Sequence, residues 1–247
     1  MADRGITILY EDAALIAHSH QGKFICIADM HLGYSPSISP TLDSRRSTAM
    51  LTDKIIEISK KTKVDNLILL GDVKHTIARM TYLDRLSLSL FFEKLLPFFR
   101  SIVLVMGNHD GSINRMLPPS VKLVKRGFLI DGTYFMHGHT LPGPDALKSN
   151  LIIMGHLHPI FYKDHSPLNG QQVWLLMSLF LRKIFPQRAK SCKLIVMPPF
   201  NPEISFQLNF SYSPNFSSRI SPLLNRCKED ISSMKVISLD GTLLTQT

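Results

Sequence analysis

The sequence predicts an α/β fold with a largely parallel sheet core, and three observations carry that expectation. Short apolar runs alternate with helical stretches through the N-terminal two-thirds of the 247-residue chain. Strands that alternate with helices of this length imply βαβ units. Beyond Phe161 the pattern changes to strands separated by turns, so the last third reads as β-rich. Finally, 45% hydrophobic and 19% charged residues describe a chain able to fill a core, which excludes a disordered polyelectrolyte.

The elements follow in order. Residues 23–28 (KFICIA) form an apolar strand that ends at Asp29. Residues 44–60 have helical periodicity through Met50, Leu51, Ile55 and Ile58, with Asp43 as the expected cap. Asn66–Leu70 is a second strand, running into Gly71-Asp72. Residues 83–98 read as an amphipathic helix closed near Pro97, and residues 101–106 as a third strand ending at Gly107-Asn108. Thr133–Met136 then runs into His137, and Leu151–Met154 into Gly155-His156. Residues 173–176, 193–197 and 204–208 are expected strands, and residues 235–239 with Asp240-Gly241 a closing hairpin. Residues 209–221, rich in Ser, Asn and Pro, read as an irregular surface segment, while residues 177–191 match no pattern. No linker divides the chain, so one domain over 1–247 is expected, with a core at about 23–161 and a β-rich part at about 170–247.

Several function classes drop out on composition. The apolar run at 173–181 is nine residues, against the ~20 of a spanning helix, and reads as a buried strand or short helix. No secretory signal opens the chain, and Cys26, Cys192 and Cys227 are odd in number and far apart. A cytoplasmic protein without a disulfide framework or thiolate zinc site is expected. The formal charge is +9, and residues 182–193 hold five cations and no acid. That is either the footprint of a polyanionic partner such as nucleic acid or a solvated basic loop. No feature of the sequence sets an oligomeric state.

Chemistry concentrates at strand ends. The clusters are Asp29-Met30-His31, Gly71-Asp72, Gly107-Asn108-His109-Asp110, His137-Gly138-His139 and Gly155-His156-Leu157-His158, and seven of the ten histidines lie in or beside them. In α/β sheets ligands bind outside the carboxyl ends of strands, where loops converge. Imidazole, carboxylate and amide donors without thiolate suit manganese, iron, zinc or nickel. Seven candidate ligands exceed the four or so of one site, so two ions bridged by a carboxylate, ~3.5–4 Å apart, fit better. Two aspartates against two divalent ions leave the site net positive, which favours a phosphate over a neutral substrate.

The ordered series DxH, GD, GNHD, HGH and GHLH resembles the signature of the calcineurin-like metallophosphoesterases. GDVKH around Asp72 and LIVMPPFNP at 194–202 are similar to the ICC-like phosphoesterases of archaea and bacteria. The resemblance covers about 23–161 and continues more weakly to Pro202. It implies a four-layer αββα fold with two mixed central sheets flanked by helices. It also implies that Asp29, His31, Asp72 and His158 hold one ion, with Asn108, His137 and His156 completing a second around a bridging Asp72. His109 then faces the substrate beside Asn108, with Asp110 orienting it. His139 either lines the phosphate site or hydrogen-bonds a ligand. Lys74 and His75 read as loop packing ahead of substrate contact, and Arg45 and Arg46, near the first ligand loop, as surface residues ahead of substrate contacts.

The expected function is two-metal hydrolysis of phosphoesters, with manganese foremost, by in-line attack of a metal-bridging hydroxide. Phosphodiesters lead, either in nucleic acid, which would make the chain a nuclease of DNA or RNA, or in a nucleotide-like molecule. A competing class is a retired enzyme that holds nucleic acid or protein; such sites lose ligands, and none of the seven is missing here.

Overall fold

A computed structural model of the chain describes residues 5–34, 40–77, 79–206 and 221–246. Thirteen strands and three α-helices are named among these residues. The first sheet holds β1 (Ile6–Leu9), β2 (Ala14–Ser19), β3 (Gly22–Ile27), β4 (Asn66–Leu70), β5 (Ser101–Val105) and β6 (Val121–Val124), side by side in that order. The β1–β2 and β2–β3 pairs are antiparallel, and β3 to β6 run parallel. Helices α1 (Pro40–Thr62) and α2 (Tyr82–Leu95) supply the crossovers of the β3–β4 and β4–β5 pairs, and a loop with a 3-10 turn at Ile113–Arg115 that of β5–β6.

The second sheet holds β7 (Phe128–Ile130), β8 (Thr133–Met136), β9 (Leu151–Met154), β10 (Val173–Phe180), β11 (Ser191–Val196), β12 (Ile231–Ser238) and β13 (Leu243–Gln246). Its spatial order is β13-β12-β10-β11-β9-β8-β7, with β8, β9 and β11 parallel and the remaining pairs antiparallel. The short helix α3 (Pro222–Cys227) packs Leu223 and Leu224 onto this sheet.

Strand alternation explains the stacking. In β4, Leu67 and Leu69 face the core beneath α1 and α2, while Ile68 and Leu70 face the other sheet. In β9, Ile153 meets the first sheet and Ile152 and Met154 pack on the opposite face. Both faces are therefore apolar, as strands buried on two sides must be. Each fully buried Leu or Ile side chain contributes roughly 1.5–3 kcal/mol relative to exposure. The result is helix, sheet, sheet and helix in four layers. At strand ends other than those that carry the polar clusters, the hairpin turns β2–β3 and β7–β8 also touch, where His20 donates its backbone N–H to Asp131 Oδ2 at 2.7 Å.

Some expectations need correction. Helix α1 opens at Pro40, so Asp43 lies within its first turn, where a carboxylate favours the helix dipole, rather than as a cap. Helix α2 is capped by Thr81, which exchanges side-chain bonds with Asp84 in a capping box, and yields to a 3-10 turn at Leu96–Phe98. The strand expected at 204–208 is absent over its described part: Pro202–Phe206 is a 3-10 turn, which Pro202 opens with no N–H to give a ladder. The surface segment expected at 209–221 lies outside the described residues save Ser221. Residues 177–180 continue β10, and the unplaced stretch is largely the loop to β11. The closing hairpin is present as β12–β13. No helix among the described residues is long and apolar enough to cross a membrane.

Candidate metal centre

Because β3, β4 and β5 are parallel, their three polar clusters emerge at one edge of the first sheet. The parallel pair β8 and β9 delivers its two clusters at one edge of the second. The two edges adjoin. His137 Nε2, from the second sheet, lies 3.0 Å from Asp29 Oδ1 of the first, and His158 Nε2 lies 3.3 Å from the same oxygen. Asp72 Oδ2 lies 3.5 Å from His137 Nε2, 3.7 Å from His31 Nε2 and 3.8 Å from His109 Nε2. Asp29, His31, Asp72, His137 and His158 are all buried.

Two donor groups that include carboxylates emerge, each with atoms close enough for one ion: Asp29, His31, Asp72 and His158, and Asp72, His137 and His156. Asp72 belongs to both. Asn108, expected in the second, lies exposed on the β5 loop beside them. The donor set suits a divalent cation on its own chemistry. Ring nitrogens of His31 and His158 face each other across 3.4 Å beside the two carboxylates. Burial pushes His31 down to about 3, so its ring is neutral and offers a lone pair. Burial alone would raise Asp29 and Asp72. His158 and His137 outweigh it at Asp29, and His137 does so at Asp72, so both stay below the usual carboxylate range. Burial alone would depress His137, but Asp72 and Asp29 drive it up to about 10. The pocket draws positive charge, and metal binding at such a site releases protons.

The backbone is as unusual as the side chains. Asp29, His31, Asp72, His156 and His158 all adopt positive φ, between 44° and 73°. Such left-handed conformations cost about 1–3 kcal/mol each and persist where surrounding structure over-determines them. Here the restraint is visible. Asp29 Oδ2 accepts from His156 N, and Asp72 Oδ1 from His109 N, both at 2.8 Å. The motif glycines permit this contact: a Cβ on Gly107 would sit 2.1 Å from Asp72 Oδ1, and one on Gly155 2.4 Å from Asp29 Oδ2.

The expected pairing of Asp110 with His109 is corrected. Asp110 is buried, and its carboxylate accepts from the backbone N–H groups of Gly107, Val73 and Lys74. It ties the β4 and β5 loops together, and burial, reinforced by Asp72, pushes it up to about 6. His109 Nδ1 instead meets the backbone oxygen of His75. His75 also joins His31 and His109 in a third group of close ligand atoms, which puts this loop histidine beside the two donor groups. Its place three residues after Asp72 was the available signal. Lys74 is fully buried and bonds to Thr76 O, as loop packing requires. His139 Nδ1 lies 3.0 Å from His137 Nδ1, and burial, then His137, pushes it to about 4. Arg45 and Arg46 are exposed on α1.

Three of the five cations of residues 182–193 have partners within the fold, while Lys190 and Lys193 are exposed. Arg188 is buried, and its guanidinium donates to the carbonyls of Ala146, Leu147 and Ser149. Lys183 pairs with Glu229, and Arg182 lies 3.7 Å from Asp230 and over the Phe180 ring.

The chain belongs to the calcineurin-like phosphoesterase family, whose model matches residues 22–195. It is accordingly a metal-dependent hydrolase of phosphoesters. Among solved structures it is similar to the nuclease MPE of Pseudomonas putida, at TM-score 0.61 and 15% identity, covering 97% of this chain and 94% of that one. Yfce, a phosphoesterase from E. coli, aligns at TM-score 0.39 and 16% identity, over 91% of this chain and 97% of that one. A comparison with curated proteins found no match.

Proposed function

We propose that the chain hydrolyses phosphodiesters with two divalent ions, manganese foremost. Asp29, His31, Asp72 and His158 hold one ion, and Asp72, Asn108, His137 and His156 the other. The observation that carries this reading is the membership of Asp72 in both donor groups, since a shared carboxylate is what a bridged pair needs. When bound, the ions polarise phosphoryl oxygens and lower the pKa of water.

The chain's own groups do the rest. The His75 carbonyl holds His109 Nδ1, which turns Nε2 toward Asp72 and the leaving oxygen. From there it donates a hydrogen bond as charge develops. Asn108 binds substrate beside it. His139 fixes the His137 ring so that Nε2 meets the carboxylates. Asp110 keeps the two loops that carry Asp72 and His109 in register.

Nucleic acid is the diester class we favour, because the formal charge of +9 raises the local concentration of a polyanion. The fold likeness to a nuclease is consistent with it. The test is elemental analysis with a manganese-supplemented screen of single- and double-stranded DNA and RNA, cyclic nucleotides and phosphomonoesters. Two ions per chain, with diester turnover lost on chelation and in Asp72→Ala, are expected. One ion per chain, or turnover that survives chelation, overturns the reading.

A further inference from the structure

The segment 197–201 (MPPFN) leaves β11 in the second sheet and ends against the first, and neither the fold nor the donor set accounts for its sequence. It is anchored on both sides. Met197 N donates to Met154 O and Gln172 Nε2 to Pro199 O in the second sheet, at 2.8 Å and 3.2 Å. On the first sheet, Phe200 N donates to Ala28 O at 2.8 Å, and Asn201 Nδ2 to Met30 O at 2.9 Å. These last two bonds bracket Asp29.

The Asp29-Met30-His31 turn needs such a bracket. Both flanking residues are left-handed, with φ of 54° and 46°. The donors of Asp29, His31 and Leu32 all point to the neighbouring loop, at Gly71 O, Asp72 O and Val73 O. The Met30 carbonyl points to Asn201 instead, which is 1% exposed. Asn201 Oδ1 accepts from Glu203 N at 3.0 Å, so the amide can present only its nitrogen to Met30. A buried amide held at both ends fixes the peptide plane between two candidate ligands. The matched family region ends at 195, before this residue.

We propose that Asn201 is a positioning residue for the metal centre: its amide sets the Asp29–His31 turn and so governs affinity for the ion held by Asp29, His31, Asp72 and His158. This rests on the two-ion reading above. Losing a group that orients ligands typically weakens metal affinity 10–100-fold. The effect should fall on one ion, because His137 and His156 come from the other sheet and Asp72 from another loop.

The experiment is calorimetric titration of Mn²⁺ into the metal-stripped full chain, for wild type, Asn201→Ala, Asn201→Asp and Pro202→Ala. Two resolved sites in the wild type are expected, one of them weakened roughly 10–100-fold in Asn201→Ala, with the other and Pro202→Ala unchanged. Asn201→Asp preserves shape and the acceptor for Glu203 while removing the donor. Its added negative charge would by itself strengthen cation binding, so weakening at one site isolates the lost bond; it also decides the matter should the alanine variant not fold. Unchanged affinity in the folded variants, or equal weakening of both sites, overturns the positioning role and leaves the two-ion reading standing. A wild type without two sites overturns both.

Discussion

Two regions of this molecule carry dense polar sequence, and they end in opposite ways. The strand-end clusters are scattered over 130 residues of chain, from Asp29 to His158, yet their side chains converge within a few ångströms. Residues 182–193 are contiguous and strongly basic, yet Arg182, Lys183 and Arg188 disperse into separate structural duties. The difference lies in what supports them. Parallel strands share one direction, so residues placed after each strand arrive at one edge whatever their separation in sequence. A loop has no such frame, and its charges take the nearest partners the fold provides.

The comparison breaks most sharply at Gly107. A methyl group there collides with the shared carboxylate, at 2.1 Å from Asp72 Oδ1 and 2.3 Å from its N. Gly107→Ala should therefore lose ions and reduce diester turnover by at least ~10²-fold, the cost of displacement by about 1 Å. Elemental analysis and turnover read both. Full ion content in the variant would show that convergence tolerates a shifted Asp72.

His109→Ala should separate catalysis from assembly. Its ring lies beside Asp72 but belongs to neither proposed ligand set, so ion content should hold while turnover falls about 10²–10⁴-fold. Equal loss of metal would make it a ligand. The smallest effect concerns the basic region. Arg188→Ala strips a charged donor from three carbonyls and should cost about 2–4 kcal/mol in urea unfolding, since bonds to charged groups contribute ~1.5–3 kcal/mol each and partly compensate one another. The salt dependence of nucleic-acid binding should stay as it is. A slope flattened by about 0.7–0.9 would instead make Arg188 a phosphate contact.

The sequence made the strand ends legible because their signal is local: an apolar run, then glycine, then a donor. Asn66–Leu70, Thr133–Met136 and Leu151–Met154 are read to the residue for the same reason. The β1–β2 hairpin went unread because its strands precede the first motif and no donor cluster marks their ends. Three features depended on distant partners and carry no local mark. Arg188 is buried by carbonyls about 40 residues away. Asp110 spends its carboxylate on backbone rather than on the adjacent histidine. Left-handed φ at five donor residues emerges only when two loops press on each other, because residue type alone does not announce it.

The contact between the two hairpin turns, where His20 meets Asp131, bears on how the halves of the sandwich are aligned. Between the sheets lie aliphatic and aromatic side chains, whose attraction is non-directional and tolerates sliding. A slip of one residue along a strand is about 3.3 Å, comparable to the 3.0 Å that separates His137 from Asp29. Such a slip would separate the donor atoms while leaving greasy contact almost as extensive as before. Alignment must therefore come from directional bonds at the ends of the strands. His20 and Asp131 act there as a dowel, and the donor cluster as the joint it keeps true.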